Sequence, residues 1–316
     1  MSGGLVVTIG ETLAMLGATA SGPLQHARSL DLTIGGAESN VAIALARLGT
    51  DVAWIGKVGD DPFGDLVVRE LRAEGVRVYA VRDAQAPTSL MVKEHRTPAS
   101  TRVHYYRRGN AGSRLRTDDV DLDLVRGAAL LHVTGISPAL SDTMRQTIRD
   151  AVGAAADAGV PVSLDLNYRS KLWSREQAAA EYAHLLPFAD IVFAGDDEAA
   201  IAVGAESGPL GLAHGLIGAG ARDAVIKLGA HGAVAVVGGI EYRRAAVPVT
   251  PVDTVGAGDA FVGGFLAERL RGESVETCLT TAVNAGALAC LVAGDWQGSP
   301  RRDELGLLGD GDPVRR

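Results

Sequence analysis

The amino-acid sequence predicts an α/β fold in which a mainly parallel central sheet is covered by helices. Short runs rich in β-branched residues alternate with longer segments of helical periodicity, as expected when helices join parallel strands. The 316 residues are 47% hydrophobic, which is enough to bury a large core. Two regions, 14–32 and 78–108, break the alternation with strand-like runs that no helix separates. These regions predict a small antiparallel insertion.

The individual elements follow from these patterns in chain order. The predicted strands of the main sheet are short apolar runs at 5–9, 52–55, 130–133, 162–166, 191–193, 224–228 and 233–237. The clearest helical patterns cover 40–48, 65–74, 141–158, 257–270 and 275–292. Residues 89–93 and 102–107 are the strand-like runs of the second insertion. We therefore predict one domain over residues 1–308, with insertions at about 14–32 and 78–108, and a flexible tail over residues 309–316.

Composition excludes several classes of partner. Thirty basic and thirty-eight acidic residues give a net charge of −8, which argues against a general affinity for nucleic acid or anionic membranes. Cys278 and Cys290 lie about 18 Å apart on one predicted helix, so we expect reduced thiols rather than a disulfide. The sequence shows no basic leader and no run of eighteen apolar residues. We expect a cytoplasmic protein that does not enter a membrane.

The run 253–261, with the sequence DTVGAGDAF, carries the strongest indication of chemistry. It places a glycine-rich turn directly before an apolar helix. The backbone N–H groups of Gly256, Ala257 and Gly258 would face a phosphoryl group at the positive end of the helix dipole. Asp259 would stand beside that group and accept the proton of an attacking alcohol. The simpler alternative is that Asp259 only caps the helix.

Four motifs in the same order resemble those of the ribokinase-like (pfkB) carbohydrate kinases, over nearly the whole chain. They are the loop and helix at 35–49, the strand and turn at 55–64, the strand and turn at 225–233, and the run 253–261. The resemblance implies a three-layer α/β fold with a small β-sheet lid that closes over a sugar. It also implies ATP and Mg²⁺ as cofactors, and a homo-oligomer.

Residues 165–173 resemble the mark of the 2-keto-3-deoxygluconate kinases within that family. In this branch two arginines hold the carboxylate of a sugar acid, and Arg169 and Arg107 match them, with Tyr105 on the same lid strand. A planar guanidinium can make two parallel bonds to a carboxylate, which suits an acid substrate. Arg169 could instead serve nucleotide phosphates or a surface ion pair. Arg107 and Arg108 would face opposite sides of a strand, and only the resemblance favours Arg107 as the inward residue.

The resemblance assigns the remaining site residues. It implies that Gly35, Gly36 and Asn40 bind the sugar hydroxyls, although Ser39 or Asn40 could simply begin the helix. The residues that it assigns to nucleotide binding are Asn167, Lys227, Gly229, Gly232, Gly256, Gly258 and Asn284. The Walker-type loop is absent, so phosphate contact must come from the glycine turn.

One departure from the family pattern concerns the metal. Where the family commonly has Asn-x-x-Glu, this chain has Gly195, Asp196, Asp197 and Glu198. We expect Glu198 to hold Mg²⁺ through water, because Mg²⁺ bound to a triphosphate keeps several waters. Asp196 and Asp197 could partly replace the missing asparagine, or could merely begin a helix.

The predicted activity is ATP-dependent phosphorylation of the terminal 6-hydroxyl of a sugar acid, with 2-keto-3-deoxygluconate as the expected substrate. A ribokinase, fructokinase or nucleoside kinase would share the turn at 253–261 and differ in the lid. A sugar-acid sensor without catalysis is the alternative from another class. A nicotinamide dehydrogenase fits poorly, because Phe261 occupies the third glycine position of the dinucleotide fingerprint.

Overall fold

The computed structural model describes residues 4–97, 100–204 and 208–308. Within these residues the strands, in chain order, are β1 (Val6–Ile9), β2 (Leu13–Ala18), β3 (Leu30–Gly35), β4 (Val52–Gly59), β5 (Arg77–Asp83), β6 (Leu90–Thr97), β7 (Ser100–Tyr106), β8 (Leu130–Thr134), β9 (Val162–Asp165), β10 (Ile191–Gly195), β11 (Asp223–Lys227), β12 (Ala233–Val237) and β13 (Ile240–Arg244). The α-helices are α1 (Ala37–Arg47), α2 (Pro62–Ala73), α3 (Leu122–Arg126), α4 (Ile136–Leu140), α5 (Asp142–Asp157), α6 (Arg175–Leu185), α7 (Asp196–Val203), α8 (Gly208–Gly218), α9 (Ala257–Leu270) and α10 (Val275–Ala289).

The main sheet has nine strands in the order β13-β12-β11-β10-β9-β8-β1-β4-β5. All neighbours are parallel except the β11–β12 and β12–β13 pairs, which are antiparallel. Apolar side chains from α1, α2, α9 and α10 pack on one face, and those from α5, α6, α7 and α8 pack on the other. The strands at the centre are buried on both faces, which explains their continuous apolar runs. The predicted three-layer α/β fold is confirmed.

A separate four-stranded sheet has the order β3-β2-β6-β7. It differs from the predicted antiparallel insertion, because β2 and β6 run parallel while the two outer pairs are antiparallel. Strand β5 pairs with β4 in the main sheet, so the start of the predicted 78–108 insertion belongs there instead. Sequence spacing alone could not reveal this, because the partner of a strand is set by long-range pairing and not by its local pattern. The predicted tail, 309–316, lies outside the described residues, and the single-domain assignment stays a prediction.

The helix starts divide into two kinds. Helices α2, α5 and α10 begin with side-chain caps from Asp61, Ser141 and Ser274. Helices α1 and α9 begin at Gly36 and Gly256 without any side-chain cap. The amino ends of these two helices are therefore open, and both face the same cavity. Among the described residues, no helix is both long and apolar enough to cross a membrane.

Candidate active site

A cavity of about 420 Å³ lies between the carboxyl ends of the main-sheet strands and the small sheet, and we call it the inner cavity. Its walls include residues that directly follow or end β1, β9, β10 and β11, the edge where α/β sheets usually bind ligands. The predicted site residues that line it are Gly36, Asn40, Tyr105, Arg107, Asn167, Arg169, Glu198, Lys227, Gly256, Gly258 and Asp259. Six separate segments of the sequence therefore meet around one space.

A second cavity, of about 590 Å³, adjoins the first, and we call it the apolar cavity. Its walls include the predicted Gly229 and Gly232, together with Phe261 from α9. Lys227 and Gly258 line both cavities, so the two spaces meet at the glycine turn. A largely apolar chamber beside an array of backbone amides has the character needed for a nucleotide base and its phosphates.

The glycine turn is held by a hydrogen bond within the run 253–261 and by close packing against Asp295 outside it. Gly256 has a φ of +75°, and a Cβ there would collide with the carbonyl oxygen of Asp295. The Asp253 carboxylate accepts the Val255 amide at 3.0 Å. Glycine is required at position 256 both for the backbone angle and for the close approach. The amides of Gly256 and Gly258 have no acceptor among the described residues, whereas that of Ala257 donates to the Thr254 carbonyl at 3.4 Å.

Asp259 is the third residue of α9 and does not cap it, since the cap is Gly256. Its buried carboxylate accepts a bond from Asn40 Nδ2 at 2.7 Å. Burial raises the pKa of Asp259 to about 7, and the Asn40 bond and the charge of Lys227 act in the opposite direction. A carboxylate with this pKa can accept a proton near neutral pH, as a general base must.

The pKa of Asp259 predicts the pH dependence of the reaction. Because only the ionised form can accept a proton, kcat/KM should fall about tenfold between pH 8 and pH 6. The Asn40 bond stabilises the ionised form, so Asn40→Ala should move this acid limb to higher pH. The measurement is a pH profile of kcat/KM for the wild type and the variant. An unchanged midpoint in Asn40→Ala would contradict the link between the two residues.

Asn40 also offers a free acceptor to a ligand. Its Oδ1 is buried and has no partner among the described residues, although buried polar atoms are normally paired. Because Asn40 lines the inner cavity, a hydroxyl group of a bound sugar would satisfy this atom. The predicted role of Asn40 in sugar binding is therefore compatible with the geometry.

Lys227 forms a buried ion pair with Asp165, with Nζ–O distances of 2.7 and 2.8 Å. Burial lowers the pKa of Lys227, but the nearby carboxylates of Asp165, Glu198 and Asp259 raise it by more. The pKa of Lys227 is therefore above its usual value. The ammonium is therefore charged where the two cavities meet. A fixed positive charge at this point is suited to the phosphates of a nucleotide.

The Glu198 carboxylate is held by two backbone amides. Oε2 accepts the amide of Gly195 at 2.8 Å, and Oε1 accepts that of Tyr168 at 3.1 Å. Glu198 lines the inner cavity, whereas Asp196 and Asp197 are exposed and do not line it. The expectation that these two aspartates replace the missing asparagine receives no support from the structure.

The arrangement fits a magnesium ion that is held mainly by phosphates. No cluster of three or more His, Cys, Asp or Glu side chains in the described ranges could hold a metal by itself. Glu198 lines the inner cavity together with Lys227, and from there its carboxylate could contact a metal-bound water. A Mg²⁺ ion carried by a triphosphate needs few direct protein ligands, so this donor set is sufficient.

The two lid arginines take different positions. Arg107 lines the inner cavity, and its Nε donates to Glu11 Oε2 at 2.7 Å while its Nη2 contacts the same oxygen. Arg108 is exposed and does not line the inner cavity. Arg107 is therefore the inward residue, as predicted, but Glu11 already neutralises its charge. Arg169 lines the inner cavity without a carboxylate partner among the described residues, and only its own neighbour, the Tyr168 carbonyl, accepts its Nη1.

Two predicted residues lie outside the cavities. Gly35 does not line the inner cavity, and a Cβ at this position would meet the carboxylate of Asp295, which does line it. Asn284 lines neither cavity, although its neighbours Val283 and Gly286 line the apolar one. The predicted role of Asn284 at the nucleotide stays a prediction. Asn167, which was assigned to the nucleotide, lies in the inner cavity and has a φ of +40°, a left-handed conformation that asparagine tolerates.

Several charged residues of the site were missed as site residues. Glu38 is fully buried, accepts bonds from Thr134 and Ser137, and has a raised pKa because of burial. Lys93, on β6 of the small sheet, pairs with Asp295 at 2.5 Å and with Asp253 at 3.4 Å. The others are Asp165 and Asp295. Each of these charged residues stands next to an apolar run, and that position could have marked it as a candidate site residue. The partners that bring it into the site are far away in the sequence.

The chain is similar to known sugar kinases over almost its full length. The model of the pfkB family carbohydrate kinases matches residues 4–302. A 2-dehydro-3-deoxygalactonokinase of Haloferax volcanii is 38% identical over 92% of this chain and 92% of its own. A 2-dehydro-3-deoxygluconokinase of Bacillus subtilis is 37% identical over 95% of this chain and 93% of its own.

Solved structures agree with this result. An E. coli protein provisionally named ribokinase II, in complex with ATP and Mg²⁺, superposes with a TM-score of 0.90 at 25% identity, covering 96% of this chain and 98% of its own. The fold, the family match and the cavities meeting at the glycine turn all lead to one assignment. The chain belongs to the pfkB family of carbohydrate kinases.

Proposed function

We propose that this kinase transfers the γ-phosphoryl group of ATP to the 6-hydroxyl of a 2-keto-3-deoxy sugar acid. The observation that carries the proposal is the position of Asp259 beside the two open amides of the glycine turn, with the unpaired Arg169 in the same cavity. The sugar would occupy the inner cavity, and the adenosine the apolar cavity.

In this reaction Asp259 takes the proton of the terminal hydroxyl as its oxygen bonds to phosphorus. The bond between the γ-phosphorus and the leaving oxygen breaks, and ADP leaves. The amides of Gly256 and Gly258 stabilise the charge on the transferring group, and Lys227 lies close enough to contribute. Bound Mg²⁺ would neutralise the charge of the triphosphate. The small sheet covers the inner cavity and limits competing attack by water.

Arg169 supports an acidic substrate. Its guanidinium has no carboxylate partner among the described residues, so a sugar carboxylate could pair with it. Arg107 has both Nε and Nη2 on Glu11 and would contribute mainly by shaping the cavity. The two relatives are named for galactonate and gluconate derivatives, so both epimers at C4 are candidates.

The substrate assignment is tested by ADP release with ATP and Mg²⁺ on 2-keto-3-deoxygluconate, 2-keto-3-deoxygalactonate, fructose, ribose and adenosine. Turnover on the keto-deoxy acids supports the proposal. A preference for a neutral sugar or a nucleoside would make the protein a different kinase of this family. Binding of the acids without turnover would favour the sensor.

The variant Arg169→Ala should raise KM for the keto-deoxy acid by about tenfold or more, because a charge-assisted bond is lost. The KM of any neutral sugar that the enzyme accepts should stay within about twofold. Both constants are measured in the same coupled assay. An equal loss on acid and neutral substrates would contradict the carboxylate role of Arg169.

We also propose that the protein acts in the cytoplasm, where ATP is available, and that it forms a homo-oligomer through the small sheet. Leu32 is 50% exposed on β3 and Tyr106 is 61% exposed on β7, which leaves apolar surface for a second copy. Light scattering of the purified protein tests the association. A monomer at micromolar concentration would contradict it.

A further inference from the structure

A third cavity, of about 850 Å³, opens beside the sugar end of the inner cavity, and we call it the outer cavity. Val103, Tyr105, Arg107 and Arg169 line both spaces, so the two are continuous. The outer cavity is therefore a vestibule through which a ligand can reach the sugar site.

The charged side chains that line the outer cavity are all basic. No aspartate or glutamate is among its lining residues. Arg107 is neutralised by Glu11, and His104 faces Glu94 at 3.4 Å. Arg108, Arg169 and Lys171 remain, and none of them has an acidic partner within the described ranges. Lys171 instead donates to the Val103 carbonyl at 3.1 Å and lies 6.0 Å from the Tyr105 ring.

The positive charge of the outer cavity contrasts with the charge of the rest of the molecule. The chain carries a net charge of −8, and the inner cavity is lined by five acids, namely Glu11, Glu38, Glu198, Asp259 and Asp295, beside the four basic side chains Lys93, Arg107, Arg169 and Lys227. An anionic substrate that approaches such a protein is repelled at long range. Unpaired cations at the entrance raise the local concentration of an anion where it must enter.

We propose that the outer cavity is an anion-capture site, in which Arg108 and Lys171 hold the carboxylate of the sugar acid before Arg169 receives it in the inner cavity. Neither Arg108 nor Lys171 lines the inner cavity, so their action is on capture and not on the phosphoryl transfer. This inference rests on the proposed function, because it requires an acidic substrate.

The test is the double variant Arg108→Ser/Lys171→Ser, assayed for KM and kcat at several salt concentrations. At low ionic strength KM for the keto-deoxy acid should rise about three- to tenfold, with kcat and the KM for ATP unchanged. The difference in this KM between the double variant and the wild type should disappear in about 1 M salt, where the screening length falls to about 3 Å. The charge-conserving pair Arg108→Lys/Lys171→Arg should behave as the wild type.

A matched control removes two positive charges elsewhere. Arg126 on α3 and Arg222 before β11 are exposed and lie outside all three cavities, so Arg126→Ser/Arg222→Ser should leave KM unchanged. Three outcomes would each overturn the inference. KM for the keto-deoxy acid could stay unchanged in Arg108→Ser/Lys171→Ser, its rise could persist in high salt, or KM could rise equally in the control variant. A wild type that phosphorylates only neutral sugars would instead overturn the proposed function itself, before any variant is compared.

Discussion

The variant Asp259→Asn is expected to lower kcat by about 10²–10⁴-fold while ATP binding is retained. The amide has nearly the shape of the carboxylate, and its oxygen can still accept the bond from Asn40. It cannot take a proton from the substrate hydroxyl. The amides of Gly256 and Gly258 remain open to phosphate, because the backbone of the turn does not depend on the charge.

Stability should not fall in this variant. Burial raises the pKa of Asp259 in the folded protein, so above its unfolded-state pKa the ionised carboxylate costs folding free energy. A neutral asparagine avoids that cost, and at pH 8 the free energy of unfolding should be equal or slightly higher. Coupled turnover, calorimetric ATP titration and urea unfolding measure the three quantities. Turnover close to the wild type would show that another group is the base.

The variant Lys227→Met is expected to have the second largest effect, on both activity and stability. It leaves the fully buried Asp165 without its cation, which typically costs about 3–5 kcal/mol. It also removes the positive charge at the point where the two cavities meet. We expect urea unfolding at a markedly lower midpoint, and loss of most turnover.

A second variant separates the two effects of Lys227. In Lys227→Met/Asp165→Asn neither charge remains, so most of the lost stability should return. Turnover and affinity for ATP should stay low, because the cation beside the phosphates is still missing. Recovery of activity together with stability would show that Lys227 only supports the fold. The exposed ion pair of Arg77 and Asp51 offers a control, since removing either partner should change stability by less than about 1 kcal/mol.

The sequence predicted much of the fold because the central elements have strong local signals. Helix α9 begins and ends as predicted, and the seven predicted strands of the main sheet lie within about four residues of the observed bounds, whereas the edge strand β13 was not predicted. Helices α3, α4, α6, α7 and α8 were not among the predicted helices. Helices α3 and α4 have only five residues each in which a period can be read, and α6 and α8, although eleven residues long, do not separate apolar and polar residues clearly onto two faces. Strand β5 was placed in the insertion, because pairing with β4 is a long-range choice that the local pattern does not encode.

The same distinction holds for the site. The glycine turn, Asp259 and Lys227 could be located because each lies in a short motif of the sequence, although the partners that set their charge, Asn40 and Asp165, are distant. The pairing of Lys93 with Asp253 and Asp295 spans about 160 to 200 residues and ties the small sheet to the loop that holds the glycine turn. No local pattern contains such a contact.

By itself the sequence determined the fold class and the family, and it located Asp259 and the glycine turn, which we propose as the base and the phosphate-binding turn. Only the tertiary structure decided that Arg107 is neutralised by Glu11 while Arg169 has no carboxylate partner among the described residues, and that Arg108 and Lys171 line the outer cavity but not the inner one. The physical reason is that backbone conformation follows largely from local residue preferences, whereas the charge state and availability of a side chain depend on partners that folding brings from distant parts of the chain.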